Sequence, residues 1–478
     1  MKKLKILFLF VIASLSLHSC FEDLDDTIQP ASALDIQDFI YKAMNIWYLY
    51  KPEVPDLAND RFATQGELND FLSAFSSPEA LFYDGLVAPQ DRFSFIVDNY
   101  LELENALAGI SLSNGMEYGL VFYPNSQTNV FGYVRYIIPN TDAAAKGLER
   151  GMIFNTINGE QLTENNFSLL QELETYDIGL ATFDGTDITP TGESVTLVKS
   201  EVTENPIHVA RTLTVEGVKV GYLMYNGFTS TFDAELNNVF STFQADGISD
   251  LILDLRYNGG GSVETAVDLS SMVTGQFNDE IFTTQVWNPE LQAIFEQNNP
   301  EDLITRFNNT IRTGAAINSL NLNRLYVITT NRSASASELV INGLDPYIEV
   351  IQVGATTTGK FQASTTFYDG PAPNFNRSDA DPGHLYAIQP LIFTSANANG
   401  VTGFIDGLPP DIEILEDLTN LGVLGEVTEP LLEATLDEIF GRSMRNYNVA
   451  PFKQAGNSKM HLPIYERMYV DEVNIPNL

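Results

Sequence analysis

The chain has 478 residues, 44% of them hydrophobic, and a formal net charge of -38. That length exceeds one core and points to two or three domains, while the acidic surplus argues against nucleic acid and anionic lipid as partners, since both need a cationic face. A single cysteine, Cys20, excludes an internal disulfide and a cysteine metal site, and four scattered histidines without HExxH spacing leave no expected metal ligands.

In chain order, Lys2, Lys3 and Lys5 precede an apolar run, Ile6 to Leu17, too short for a membrane span. Followed by Leu17-His18-Ser19-Cys20, this start resembles a lipoprotein signal peptide, residues 1–19. The resemblance implies lipidation of Cys20. The only membrane contact would be that lipid, in a bacterial envelope outside the cytoplasm, on the periplasmic face of the outer membrane or at the cell surface. Residues 20–33, with Glu22-Asp23-Leu24-Asp25-Asp26, read as a solvated tether. Such an acidic start resembles the surface-export signal of some Bacteroidetes-type lipoproteins.

Residues 34–95 are expected to form a small helical domain. Ile36, Phe39, Ile40, Ala43, Met44 and Trp47 recur at helical spacing from Asp35 to Tyr50 behind a possible Ser32 cap, and a second helix is expected over Gln65 to Phe75. The run Trp47-Tyr48-Leu49-Tyr50 reads as a face packed on a neighbouring domain, or alternatively as a ligand platform.

From about Ala106 to Ser200 the pattern changes to short strands: Tyr118 to Phe122, Gly132 to Pro139, a short helix from Thr141, then Gly151 to Gly159 with an Asn-Gly turn. This order, above all Val134 to Leu162, resembles a bacterial PDZ domain (residues 106–200). The resemblance implies that a peptide C-terminus adds as a strand, its carboxylate held by N–H groups of a loop at Gly119-Leu120-Val121. The alternative is a structural domain that binds no peptide.

Residues 205–440 read as strands alternating with helices. Val220 to Tyr225 is a strand, Phe232 to Phe243 a helix and Leu251 to Leu255 a buried strand that runs into Asn258-Gly259-Gly260-Gly261. A glycine run before a helix lets backbone approach a ligand closely, and no Lys-Ser/Thr follows to make it a phosphate loop. Residues 289–318 are polar and asparagine-rich, as expected of a rim insertion. Leu325 to Ile328 is the next strand, Ser333 to Ser337 a small-residue turn and Glu338 to Leu344 a helix stopped by Asp345-Pro346, followed by the strand Tyr347 to Val353 and Gly359-Lys360. A serine exposed at a helix start needs a base. Lys360, beside Phe361 and apolar strands in a lysine-poor chain, fits one whose pKa is lowered by burial. His384 to Phe393 reads as strand, Pro430 to Phe440 as a last helix and residues 441–478 as a loosely ordered tail.

Ser333-Ala-Ser-Ala-Ser-Glu338 with Gly359-Lys360, Asp254-Leu-Arg-x-Asn-x-Gly-Gly and Gly407-Leu-Pro-Pro-Asp411 together resemble the C-terminal processing peptidases, serine peptidase family S41. The resemblance implies an α+β multidomain protein whose core is an α/β spiral related to the crotonase and Clp peptidase folds. It assigns the nucleophile to Ser335, the base to Lys360 and the oxyanion donors to Gly260 or Gly259 and Ala336. Glu338 matches a residue that supports the lysine in some members, and Asp345 lies near the position that others use. The implied activity is a cofactor-free serine endopeptidase acting on proteins or peptides with free C-termini. The competing readings are a non-catalytic, PDZ-based peptide-binding lipoprotein that keeps the fold, and a hydrolase pairing Ser335 with His208 or His384.

Overall fold

The computed structural model describes residues 28–445, 449, 451–471, 473 and 475, so the leader, Cys20 and most of the tether lie outside the described residues. Helix α1 (Ala33–Trp47) starts in a reciprocal box: the Asp35 N–H donates to Ser32 Oγ and the Ser32 N–H to the Asp35 carboxylate. Its face from Ile36 to Trp47 is buried against α2 (Gln65–Leu72) and Leu81, Phe82 and Leu86. No separate helical core results, because these side chains share one cluster with the strands and helices of residues 223–475. The aromatic run is packing, not a platform: Trp47 stacks on Phe367 at 5.2 Å, and its indole N–H donates to the Pro373 carbonyl.

A second unit is an antiparallel sheet of β1 (Met116–Phe122), β2 (Val130–Ile137), β3 (Ile153–Ile157), β4 (Thr175–Phe183) and β5 (Ile188–Val198). Asn158 and Gly159, with φ of 51° and 82°, make the turn after β3, the pair of positive values that an Asn-Gly hairpin supplies. Gly119, Leu120 and Val121 are not the expected loop. They lie inside β1, paired with Tyr133, Gly132 and Phe131 on one side and with Asn457, Gly456 and Gln454 on the other. Strand periodicity wins over the loop because Tyr118, Leu120 and Phe122 face the core of this unit.

The third unit holds a sheet of β6 (Ile207–Val215), β7 (Val218–Tyr225), β8 (Asp250–Asp254), β9 (Arg324–Thr329), β10 (Glu349–Gly354) and the short strand Ile412–Glu413. Only β6 is antiparallel to its neighbour. Helices α3 (Asp233–Asp246), α4 (Val263–Thr274) and α5 (Ala336–Leu344) cover one face, and α6 (Pro430–Ile439) covers the other through Leu431, Leu432 and Leu436. Burial on both faces explains the unbroken apolar runs in the sequence. A further sheet is built from Gly261–Ser262, Gln362–Ser364, Leu391–Asn397, Ile281–Trp287 and Ile304–Arg306.

The 289–318 segment carries the helix Pro289–Asn298, fastened by buried Leu291 and Phe295 and, at its cap, by Asn288, which donates to the Tyr48 carbonyl. One expectation fails in this region: the described residues of the C-terminal tail are not loosely ordered. Its β11 (Gln454–Asn457) lies on the edge of β1, and its β12 (Met468–Tyr469) joins Gly261–Ser262 and Ser364, with Met468 fully buried. Backbone pairing orders this tail, and such pairing leaves no apolar period to read.

Candidate active site

Strand β9 delivers the chain to the small-residue turn, which two of its serines fasten. The Ser333 hydroxyl donates to the Leu255 carbonyl at 2.8 Å, and the Ser337 hydroxyl to the Asn258 carbonyl at 3.0 Å. Ser335 sits between them at the N-terminus of α5 with φ 66° and ψ -115°, a strained conformation for a residue with a Cβ. Its hydroxyl is buried and has no hydrogen-bond partner among the described residues. Strain together with an idle hydroxyl at a helix start is what a nucleophile requires and packing does not.

Lys360 is equally buried, and its Nζ also lacks a hydrogen-bond partner among the described residues, lying 5.2 Å from the centre of the Phe93 ring. Burial, reinforced by the positive charge of Arg467, holds this amine well below the ordinary lysine range against the opposing pull of Asp91, Glu466 and Glu338. An amine in that state can take a proton.

Glu338 joins the two. One carboxylate oxygen accepts the N–H of Ser335 at 2.7 Å and that of Lys360 at 2.8 Å; the other accepts Gly359 N–H at 2.7 Å and the Thr357 hydroxyl at 2.5 Å. Burial pushes its pKa up while these four donors pull it down. Glu338 thus meets the lysine through its backbone: it grips backbone on both sides of the site and, among the described residues, makes no hydrogen bond to Nζ. Asp345, the alternative support, is exposed at the far end of α5, about 15 Å along the helix from Ser335.

The glycine loop after β8 is set from below. Arg256 is fully buried between Asp254 and Glu429, with Nη1 and Nη2 on the two oxygens of Glu429 at 2.5 and 2.9 Å. The Asn258 side chain donates to the Tyr225 carbonyl and accepts from the Gly260 N–H at 2.8 Å. That last bond corrects the first choice of oxyanion donor, because the Gly260 N–H is already taken. The N–H groups of Gly259 and Ala336 have no partner among the described residues. Gly260 must still be glycine: its φ is 110°, and a Cβ there would lie 2.4 Å from the Arg467 carbonyl and 2.7 Å from Ser335 Cβ.

Neither histidine alternative is assembled. His208 packs against Tyr136 with its pKa lowered by burial to about 4, and His384 bonds Asp369 and the Tyr386 N–H. Sequence reasoning missed Asn258, Asp91 and the tail residues Glu466 and Arg467. Asn258 stood within the quoted motif and carried a readable signal; the others carried none. Among the described residues no His, Cys, Asp and Glu cluster suits a metal ion, and no helix is long and apolar enough to cross a membrane.

Residues 219–375 match the family model "Peptidase family S41", and residues 35–95 match "Peptidase S41 N-terminal domain". The carboxyl-terminal-processing peptidase 3 of Arabidopsis thaliana chloroplasts is 25% identical over 386 residues, covering 78% of this chain and 65% of that protein. The carboxyl-terminal-processing protease of Picosynechococcus is 26% identical over 172 residues, 36% of each chain. The chain thus spans less than two thirds of the length of these curated relatives. A crystal structure assigned to the S41 proteases, from Bacteroides fragilis, superposes with a TM-score of 0.66 at 26% identity, covering 84% of this chain and 97% of the other.

Proposed function

We propose that this chain, a member of peptidase family S41, is a serine endopeptidase of the C-terminal processing type working through Ser335 and Lys360. One observation carries the reading: a buried hydroxyl and a buried amine, each without a partner, are tethered through their backbones to the same oxygen of Glu338. A side-chain pair that served only packing would be paired or apolar.

In this mechanism Ser335 Oγ attacks the scissile carbonyl as neutral Lys360 Nζ takes the hydroxyl proton. The carbonyl oxygen becomes an oxyanion held by the N–H groups of Gly259 and Ala336, the latter aided by the start of α5. Collapse breaks the C–N bond, and Lys360 returns its proton to the leaving amine. A water, deprotonated by the same lysine, then hydrolyses the acyl-serine. The sheet Met116–Val198 serves as the PDZ domain, with the substrate's C-terminal segment adding along β1. Cys20 carries the lipid that holds the enzyme in the envelope. Two relatives bear C-terminal processing names, which supports the substrate class.

The test is Ser335→Ala. Cleavage of a denatured protein should vanish while the melting temperature stays near wild type, because the lost hydroxyl has no bond to break. Undiminished cleavage would remove the assignment and leave the non-catalytic binder.

A further inference from the structure

We propose that the chain's own C-terminal segment, residues 453–467, is an internal inhibitor that lies on the peptide-accepting edge of β1 and across Ser335, and that the site works only when this segment lifts. The inference rests on the peptidase reading above.

The segment covers two places at once. Strand β11 runs antiparallel along β1, with Gln454 opposite Val121 and Asn457 opposite Gly119. The Phe122 N–H donates to the Lys453 carbonyl and the Ser458 N–H to the Tyr118 carbonyl, extending the ladder at both ends. Since β2 fills the other side of β1, this ladder leaves no edge for an incoming peptide. Further on, the Tyr465 hydroxyl accepts from Arg332 Nη1 at 2.6 Å and from Asn457 Nδ2 at 3.0 Å, folding the segment back over the nucleophile turn. Glu466, at φ 53°, then turns the chain so that the Arg467 carbonyl accepts the Gly261 N–H at 2.6 Å.

The result is a closed site. Ser335 and Lys360 both have zero exposure, whereas a scissile carbon must come within about 3–3.5 Å of the hydroxyl to react. Something must move, and the segment is built to do so. Gln454 is exposed, and β11 contributes no large apolar side chain. Much of its hold on the sheet unit is polar: Lys459 Nζ donates to Glu204 at 2.6 Å and to the Tyr136 hydroxyl, and Ser458 to Glu117. The Lys459–Glu204 contact is partly exposed to solvent, and ionic contacts of this kind add little net stability. Beyond the segment, Met468 and Tyr469 are anchored in the sheet that holds Gly261–Ser262 and supply a fixed pivot. A substrate C-terminus that takes the β1 edge must displace β11, so docking at one place uncovers the other.

The test locks the segment down. Val121→Cys with Gln454→Cys puts thiols on directly opposed residues of an antiparallel pair, at a Cα separation of about 4.5–5.5 Å that suits a disulfide. Cys20→Ser removes the only native thiol. The oxidised protein should cleave a denatured protein at least tenfold more slowly than the same preparation after reduction. Equal rates in the two forms would overturn the proposal. Absence of cleavage in both forms and in the wild type would instead remove the peptidase reading. Tyr465→Phe provides a second measurement that needs no disulfide. By loosening the fold-back it should raise the rate several-fold, and an unchanged or lower rate would mean that the segment is a fixed wall.

Discussion

Glu338→Gln removes one acceptor from a carboxylate that takes four bonds, and its effect follows from which donor is stranded. If the new amide nitrogen faces Thr357 and Gly359, the Thr357 hydroxyl can turn and accept, leaving only the Gly359 N–H alone. If it faces the other way, the Ser335 and Lys360 N–H groups are both stranded. The first arrangement is cheaper, and one buried N–H without a partner costs about 1–3 kcal/mol. Spent on displacing Ser335 relative to Lys360, that is roughly 5- to 160-fold in kcat at 1.36 kcal/mol per tenfold. KM should stay near wild type, because Glu338 touches no part of the substrate path. The midpoint of the pH–rate curve should stay as well: the carboxylate bonds backbone, and its charge acts on Lys360 more weakly than those of Arg467, Asp91 and Glu466. Steady-state cleavage of a fluorogenic peptide with a free C-terminus, followed across pH, measures all three. A midpoint lowered by about one unit or more with the alkaline plateau intact would show the carboxylate acting on the amine itself, and the positioning argument would fail.

The remaining expectations concern the base, the edge and the anchor. Lys360 must be neutral to work, and its pKa is held well below the ordinary value, so activity should rise with pH through that lowered value and show no separate histidine limb. Over the same window the unfolded chain binds a proton that the folded chain lacks. Stability should therefore climb with pH between the lowered pKa and about 10.5, and level off below the window, a trend that denaturant titrations at stepped pH would read. Lys360→Arg should be inactive across the range, since guanidinium keeps its proton, and near wild-type turnover would exclude the serine–lysine mechanism. Amidating a substrate's C-terminus should lower kcat/KM if docking at β1 precedes cleavage; equal values would favour a structural PDZ domain. Cys20→Ser should abolish lipid labelling and membrane partitioning, and unchanged partitioning would discard the leader reading.

The elements that carry the proposed pair were legible because local sequence dictates them. The apolar runs Leu251–Leu255 and Leu325–Ile328 mark buried parallel strands, and the turn and helix after the second place Ser335 at a helix start whatever packs around it. Lys360 was legible as a charge stranded in apolar text. What escaped depends on partners distant in sequence. The Gly260 N–H was misassigned because a side chain two residues away captures it, and the motif's spacing does not show which glycine is left free. Gly119 to Val121 were misread because a strand and a loop differ there only in what lies beside them, and that neighbour is more than three hundred residues downstream. The tail failed for the same reason, since its order comes from edges supplied elsewhere.

The buried Arg256 sets a condition on when the candidate site can form. Its guanidinium props up the loop that carries the Gly259 donor, and both oxygens of its partner Glu429 come from a residue 173 positions later. Until α6 docks, that cation keeps Asp254 but lacks its bidentate Glu429 partner, and an incomplete buried ion network is costly and disfavours the finished loop. A chain still emerging from synthesis, or cut short before residue 429, therefore holds Ser335 and Lys360 without a settled oxyanion site. In the proposed mechanism, then, the site stays unfinished until helix α6 has docked.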